Sequence, residues 1–299
     1  MTLPDILLAL IFLVVIALLA PILDGVERKL KAKIHSRIGP PILQTWYDVL
    51  KLFRKEIVIP TNITFILILV PLYLVLTLLL TFFIILGIMG FRQICSLAFI
   101  IIMIIFTQGV FVVIPTLCSN PFSIVGSMRE IALMIVNEVA VVVSLALLAF
   151  YVKSLNLVDI TLLNYTPSYI LLILLIMIAM YVLTGRIPFD IAEAEPELAS
   201  GILIELSGPL LGLYIYGNLI KRFAVSLLTS FTLLAPLLNG FNTVLVVSIS
   251  LISSILIWIL HTMVAVVLAR SRVDLAPTTL FKIFLGLIVV SVLLRYCGL

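Results

Sequence analysis

The sequence specifies an all-α, polytopic integral membrane protein of about eight transmembrane helices plus one interfacial amphipathic helix. Three observations carry that expectation. The 299 residues are 64% hydrophobic and only 11% charged, where a water-soluble domain carries about 25% charged residues. Mean hydropathy is +1.39. The apolar residues gather in runs of about twenty or more, the length a helix needs to cross ~30 Å of hydrocarbon; a membrane barrel would show short alternating segments instead.

The runs place spans near residues 4–23, 63–90, 94–117, 128–152, 168–184, 209–235, 242–268 and 279–297. Pro71 is expected to kink the second. The sixth is ambiguous, because residues 199–235 are too long for one ordinary span. Gly208-Pro209 offers a break there, with Pro209 as a first-turn residue and residues 198–208 as a short segment at the membrane edge. The first run has no basic residue before it and a dense basic stretch after it, the pattern of a retained first span with its N-terminus outside. No soluble linker interrupts the chain, so residues 1–299 read as one integral membrane domain.

Charge then sets orientation. With the N-terminus outside, thirteen Lys and Arg residues fall on the cytoplasmic side and three (Arg92, Lys153, Arg295) on the other. That asymmetry obeys the positive-inside rule and accounts for the net charge of +4 without any nucleic-acid partner. The long first connection, 24–62, has structure of its own. After Gly39-Pro40-Pro41, residues Ile42, Leu43, Trp46, Val49, Leu50 and Phe53 recur at helical spacing. They predict an amphipathic helix lying in the interface plane and anchored by Trp46.

Cys95, Cys118 and Cys297 are isolated, no CxxC occurs, and His35 and His261 lie far apart. No iron–sulfur, zinc or bis-histidine haem site is legible, so no metal or cofactor is expected on this chain. Any electrons travel elsewhere.

The chemistry-bearing residues are ionisable groups in or beside the lipid, where they are costly and mark ion or proton pathways. Asp190, Glu193, Glu195, Glu197 and Glu205 put five of the chain's fourteen acids within sixteen residues. Such a cluster raises the pKa of a member by like-charge repulsion and reads as a cytoplasmic funnel for cations; a solvated loop is the plainer alternative. Glu130 and Glu138 sit in the fourth span, separated by about 80° of rotation and 12 Å of rise, so they can occupy one sector at two depths, Glu138 the deeper. Glu130 at the membrane edge paired with Arg129 is the plainer reading of that residue. Lys221 and Arg222 fall near the centre of 209–235. Lys221 is then a relay group with Glu138 as a candidate partner, and Arg222 an anchored charge; alternatively both snorkel to the outer surface. His261 carries an imidazole, a group whose unperturbed pKa is near neutral and which suits proton transfer, or it simply bonds a neighbouring helix.

Two long segments carry a family likeness: ERKLKAKIHSRIGPPILQTWYDVLKLFRKE (residues 27–56) and GRIPFDIAEAEPELASGILIELSG (residues 185–208). They resemble membrane subunit 1 of respiratory complex I (NuoH). They are most similar to the membrane-anchor subunit of energy-converting, membrane-bound nickel–iron hydrogenases and related ferredoxin-dependent sulfur-reducing complexes. RSRVDL (residues 270–275) resembles the family's last cytoplasmic connection.

The resemblance implies an eight-helix subunit at the junction of a membrane arm and a hydrophilic redox arm. By it, Glu27, Arg28, Arg37, Gly39 and Pro40, with Arg186 and Asp190, shape the surface that docks a hydrogenase-large-subunit-like partner and an iron–sulfur small subunit. Glu193, Glu195 and Glu197 form the acidic loop linked to the redox event, and Glu205, Glu130 and Glu138 begin a charged path. Iron–sulfur clusters, and a nickel–iron centre, belong to the partners; other membrane-arm, antiporter-like subunits complete the complex. Quinone-reducing members carry a longer insertion after the first Arg-x-Gly-Pro; here Arg37-Ile-Gly-Pro-Pro runs directly into Ile42, and no quinone pocket is assigned.

The function expected is therefore the non-redox membrane subunit of a redox-driven H+ or Na+ pump in the plasma membrane. The alternatives are the quinone-site subunit of a complex I relative, a stand-alone ion transporter, or a passive membrane anchor.

Overall fold

A computed structural model describes residues 3–58, 64–91, 95–118, 120–192 and 201–298. Nine α-helices carry the described chain: α1 Leu3–Ile34, α2 Gln44–Phe53, α3 Ile66–Met89, α4 Leu97–Thr116, α5 Pro121–Val152, α6 Pro167–Leu183, α7 Gly208–Leu234, α8 Thr243–Val267 and α9 Leu275–Tyr296. Seven are long and apolar enough to cross a membrane. The eighth, α6, has 17 residues, which at 1.5 Å per residue is about 26 Å, close to the hydrocarbon thickness.

Two expected spans are longer than the hydropathy implied. α1 runs to Ile34, so Glu27 and Arg28 are helical rather than loop residues, and α5 begins at Pro121. Apolar counting ends a span where charge begins, but hydrogen bonding carries the helix on. The expected break at Gly208-Pro209 is where α7 starts, with Pro209 in its first turn. Pro71 sits inside α3.

α7 is the centre of the bundle and packs against α1, α2, α3, α6 and α8. Every residue from 223 to 232 is buried. This burial explains the placement of two tyrosines. Pro21 in α1 and Pro115 in α4 lack an N–H and leave the carbonyls of Ala17 and Phe111 without their helical donors. Tyr216 donates to the Ala17 oxygen at 3.0 Å and Tyr214 to the Phe111 oxygen at 3.1 Å. In lipid an unmet carbonyl costs several kcal/mol, so these bonds hold α7 against two neighbours.

The connections segregate into two ends. Ser271 N donates to the Pro188 oxygen, and Val58 N to Ser207 Oγ; the first, fifth and seventh connections thus meet. At the opposite end Leu97 N donates to the Leu155 oxygen and Tyr165 to the Leu233 oxygen. This division matches the odd and even sets of the charge reading.

The amphipathic segment is helical as expected, over Gln44–Phe53, with Thr45 and Val49 buried. It packs on α1 and α7. Trp46 donates to the Leu18 oxygen at 3.3 Å and its ring lies 5.9 Å from that of Tyr216, so its indole binds protein rather than lipid headgroups alone. The turn before it lies directly on α1. A Cβ at Gly25 would come within 1.8 Å of the Ile42 oxygen, so only glycine admits this crossing. At Gly208, φ is +54° and a Cβ would meet the Glu56 oxygen at 2.4 Å; glycine is required twice over.

Candidate functional site

Two polar clusters stand in the bundle, the first at the end where the odd connections meet. The first is built on Glu27. α1 carries it into the bundle at 3% exposure, where Arg186, also 3% exposed, donates from Nη2 to its Oε2 at 2.6 Å. Lys31, one turn on, bonds the other carboxyl oxygen at 2.8 Å. The Arg186 guanidinium lies 4.5 Å from the centre of the Trp258 ring. Stacking on an aromatic face suits arginine's planar, weakly hydrated cation. Its Nε and Nη1 have no hydrogen-bond partner among the described residues.

Around this pair the loop 184–192 is tied down. Tyr181 donates its hydroxyl to the Ile187 oxygen, Arg222 Nε donates to the Thr184 oxygen at 2.8 Å, and Arg270 pairs with Asp190 at 2.9 Å. Asp190 lies outside the spans; burial pushes its carboxyl above the ordinary range, and Arg270 draws it only part of the way back. His261 is 2% exposed and packs edge-on against Tyr181, with ring centroids 5.1 Å apart. Neither of its nitrogens is hydrogen-bonded among the described residues.

The second cluster stands deeper. Lys221 lies midway along α7 at 4% exposure, so it does not snorkel. Its Nζ donates to Gln108 Oε1 at 3.0 Å and sits 3.9 Å from the centre of the Phe111 ring. Gln108 Nε2 in turn donates to Glu130 Oε1 at 3.2 Å. A charge at the bilayer centre costs about 3 kcal/mol on insertion scales. A hydrogen bond to a charged group returns roughly 1.5–3 kcal/mol and a desolvated cation–π contact up to ~2 kcal/mol. The two contacts are thus of the size needed to hold an ammonium there.

This corrects the expected Lys221–Glu138 partnership. Glu138 is half-buried, and its Oε1 finds no hydrogen-bond partner among the described residues. The two glutamates are expected to occupy one sector at two depths, but it is Glu130, through Gln108, that is linked to Lys221. Gln108 takes the place instead. Its type does not single it out, because an uncharged amide draws no notice beside Lys and Glu. The available signal is that it is the only amide in the otherwise apolar α4.

The remaining expected residues separate by location. Arg28 is exposed and bridges Asp24 at 2.9 Å and Asp48 at 3.1 Å, joining α1 to α2. Arg37, Gly39 and Pro40 form the turn between those helices, with Arg37 exposed. Glu205 is half-buried just before α7. Glu193, Glu195 and Glu197 lie outside the described residues. Among the described residues no three His, Cys, Asp or Glu side chains come together as a metal-holding group.

Two cavities lie beside these residues. One of about 20 Å³ is bounded by Asp190, Thr184, Asn218, Lys221, Arg222 and Glu130, room for about one water. A larger one of about 170 Å³ reaches from Arg222 and Asn218 to Asp24 and Arg28 near the surface. The arrangement offers titratable groups, amides and space for water in sequence from the connection end toward the middle of the bundle.

A bundle with seven helices long and apolar enough to cross a membrane is a multi-pass membrane protein. The chain belongs to the NADH dehydrogenase family, whose model matches residues 6–296. Hydrogenase-4 component C of Escherichia coli (strain K12) is 31% identical over 221 residues, 71% of this chain and 70% of the relative. Formate hydrogenlyase subunit 4 of the same organism is 28% identical, covering 74% of this chain and 75% of the relative. An NADH-quinone oxidoreductase subunit of Ralstonia pickettii (strain 12J) is 29% identical over 88% of this chain and 83% of the relative. A chain of the membrane-bound sulfane sulfur reductase, an archaeal respiratory membrane complex, shares the fold. Its TM-score is 0.82 over 96% of this chain and 99% of that one, at 21% identity.

Proposed function

We propose that this chain is the non-redox membrane subunit joining the hydrophilic redox arm to the membrane arm of a multi-subunit, redox-driven H+ or Na+ pump. The complex is a ferredoxin-dependent membrane-bound hydrogenase or a related sulfur-reducing complex. The observation that carries this reading is the series Glu27–Arg186 and Lys221–Gln108–Glu130, buried except for the half-buried Glu130, which starts where three connections meet and ends mid-bundle. The likeness to hydrogenase-4 component C and formate hydrogenlyase subunit 4 supports the hydrogenase branch.

In this reading the chain carries no redox centre. Partner subunits with iron–sulfur clusters, and a nickel–iron centre, sit on the cytoplasmic face formed by Arg28, Arg37, Gly39, Pro40 and the 184–192 loop, and antiporter-like subunits adjoin in the plasma membrane. The N-terminus is outside. Electron arrival beside the loop changes local charge, alters the proton affinity of neighbouring carboxylates and biases a relay. Glu193, Glu195 and Glu197 collect the ion, Glu205 passes it on, and Glu130, Lys221 and Glu138 carry it inward, with His261 held beside the Arg186 cluster.

Affinity purification of the chain from detergent-solubilised membranes, with mass spectrometry of what accompanies it, tests this directly. Hydrogenase-like large and iron–sulfur small subunits are expected. A chain that purifies alone and moves ions alone in vesicles contradicts the reading in favour of a stand-alone transporter. Retention of bound quinone moves it to the quinone-reducing branch.

A further inference from the structure

Glu130 and Asn137 lie seven residues apart on α5, almost two full turns, so they share one face about 10 Å apart along the axis. Asn137 is 1% exposed. Neither its Oδ1 nor its Nδ2 has a hydrogen-bond partner among the described residues. A buried polar group left unmet costs about 1–3 kcal/mol, and ordered water is the usual remedy. There is space for it: a cavity of about 10 Å³ is bounded by Gln108, Glu130, Leu133, Met134 and Asn137, the lower limit for a single water.

Glu130 also borders the 20 Å³ cavity that reaches Asn218 and Lys221. Asn218 Oδ1 is likewise without a partner among the described residues. Glu130 therefore borders two water-sized spaces, one shared with Asn218 and Lys221 and one with Asn137.

We propose that the space between Glu130 and Asn137 is an internal hydration site, and that Asn137 is the positioning residue that holds its water against the Glu130 carboxyl. The inference rests on the relay reading above and extends it one step past Glu130. Water fits better than a metal cation. The volume admits one small molecule, and Gln108, which bounds the space, already faces the Lys221 ammonium, so a second positive charge would meet a fixed one. Ser144 and Tyr151 continue the same face at seven-residue intervals. Their hydroxyls already donate to the Val141 and Ser291 oxygens, each at 2.9 Å, so the site ends at Asn137.

The test uses the intact complex. A cryo-EM map of the wild type should hold density between Asn137 and Glu130, and Asn137→Leu should remove it. In liposomes, the rate of coupled ion transport should fall about a hundredfold in Asn137→Leu, the scale of a lost positioned proton-transfer step, and recover in Asn137→Ser. A dry cavity in a wild-type map that resolves ordered water elsewhere in the bundle overturns the proposal, and so does wild-type transport by Asn137→Leu. Should Asn137→Leu fail to assemble, the wild-type map decides alone. Lys221→Met run in parallel separates the two ideas. Transport lost there but kept in Asn137→Leu sinks only the hydration site; transport kept in both sinks the relay.

Discussion

Arg186 and Glu27 are 159 residues apart in sequence and share a 2.6 Å ion pair with both side chains buried. The pair ties α1 to the loop after α6 and fixes the geometry of the face where three connections meet. A buried pair contributes less to stability than its Coulomb energy suggests, because both ions lose water; removing one partner strands the other.

Glu27→Gln is therefore expected to cost about 3–5 kcal/mol, and Arg186→Met a similar amount. The double variant Glu27→Gln/Arg186→Met should cost much less than the two singles combined. Thermal melting of the detergent-purified protein measures this cycle; strict additivity would show that the two residues do not depend on each other.

Gly25→Ala introduces a methyl group within 1.8 Å of the Ile42 oxygen. Backbone must move, at a cost of roughly 1–3 kcal/mol or more. The 39–42 turn lifts from α1, and co-purification of the redox arm should fall while the chain still inserts into the membrane. Undiminished co-purification would place the docking surface elsewhere.

Asp190 gives a dependence on pH. Its folded-state carboxyl is raised above 3.8 by burial, against the pull of Arg270, so the folded chain holds the proton more tightly than the unfolded one. The stability this contributes is present below the unfolded value and is lost as pH rises through the raised one. Melting of wild type and Asp190→Asn across that window should show the variant gaining on the wild type as pH rises. A gain in the opposite direction contradicts the assignment.

Glu138→Gln keeps size and removes the titratable group. Ion transport by the assembled complex is expected to drop while assembly persists. Intact coupled pumping would remove Glu138 from the relay and leave Glu130 as the carboxylate that matters.

Much of this was legible in the residues. Apolar run length gave the spans, and the asymmetry of Lys and Arg separated the connections that the fold brings to opposite ends. Gly208-Pro209 marked the start of α7 because proline has few other places in a helix. The side-chain pairings were not legible. Lys221 faces Gln108 because α4 and α7 meet there, and helical rotation within α5 cannot reveal which neighbour lies opposite. Tyr214 and Tyr216 pass for ordinary core aromatics until the carbonyls freed by Pro115 and Pro21 are seen beside them. Trp258 could not be matched to Arg186 from spacing across 72 residues.

Lys221, held mid-bundle by Gln108 and Phe111, belongs to the ion path in this reading. The most direct measurement is ions moved per electron by the purified complex in sealed liposomes, wild type against Lys221→Met. Transport should collapse in the variant while electron transfer continues once the membrane is made leaky. A Lys221→Met complex that moves ions at the wild-type ratio would contradict it.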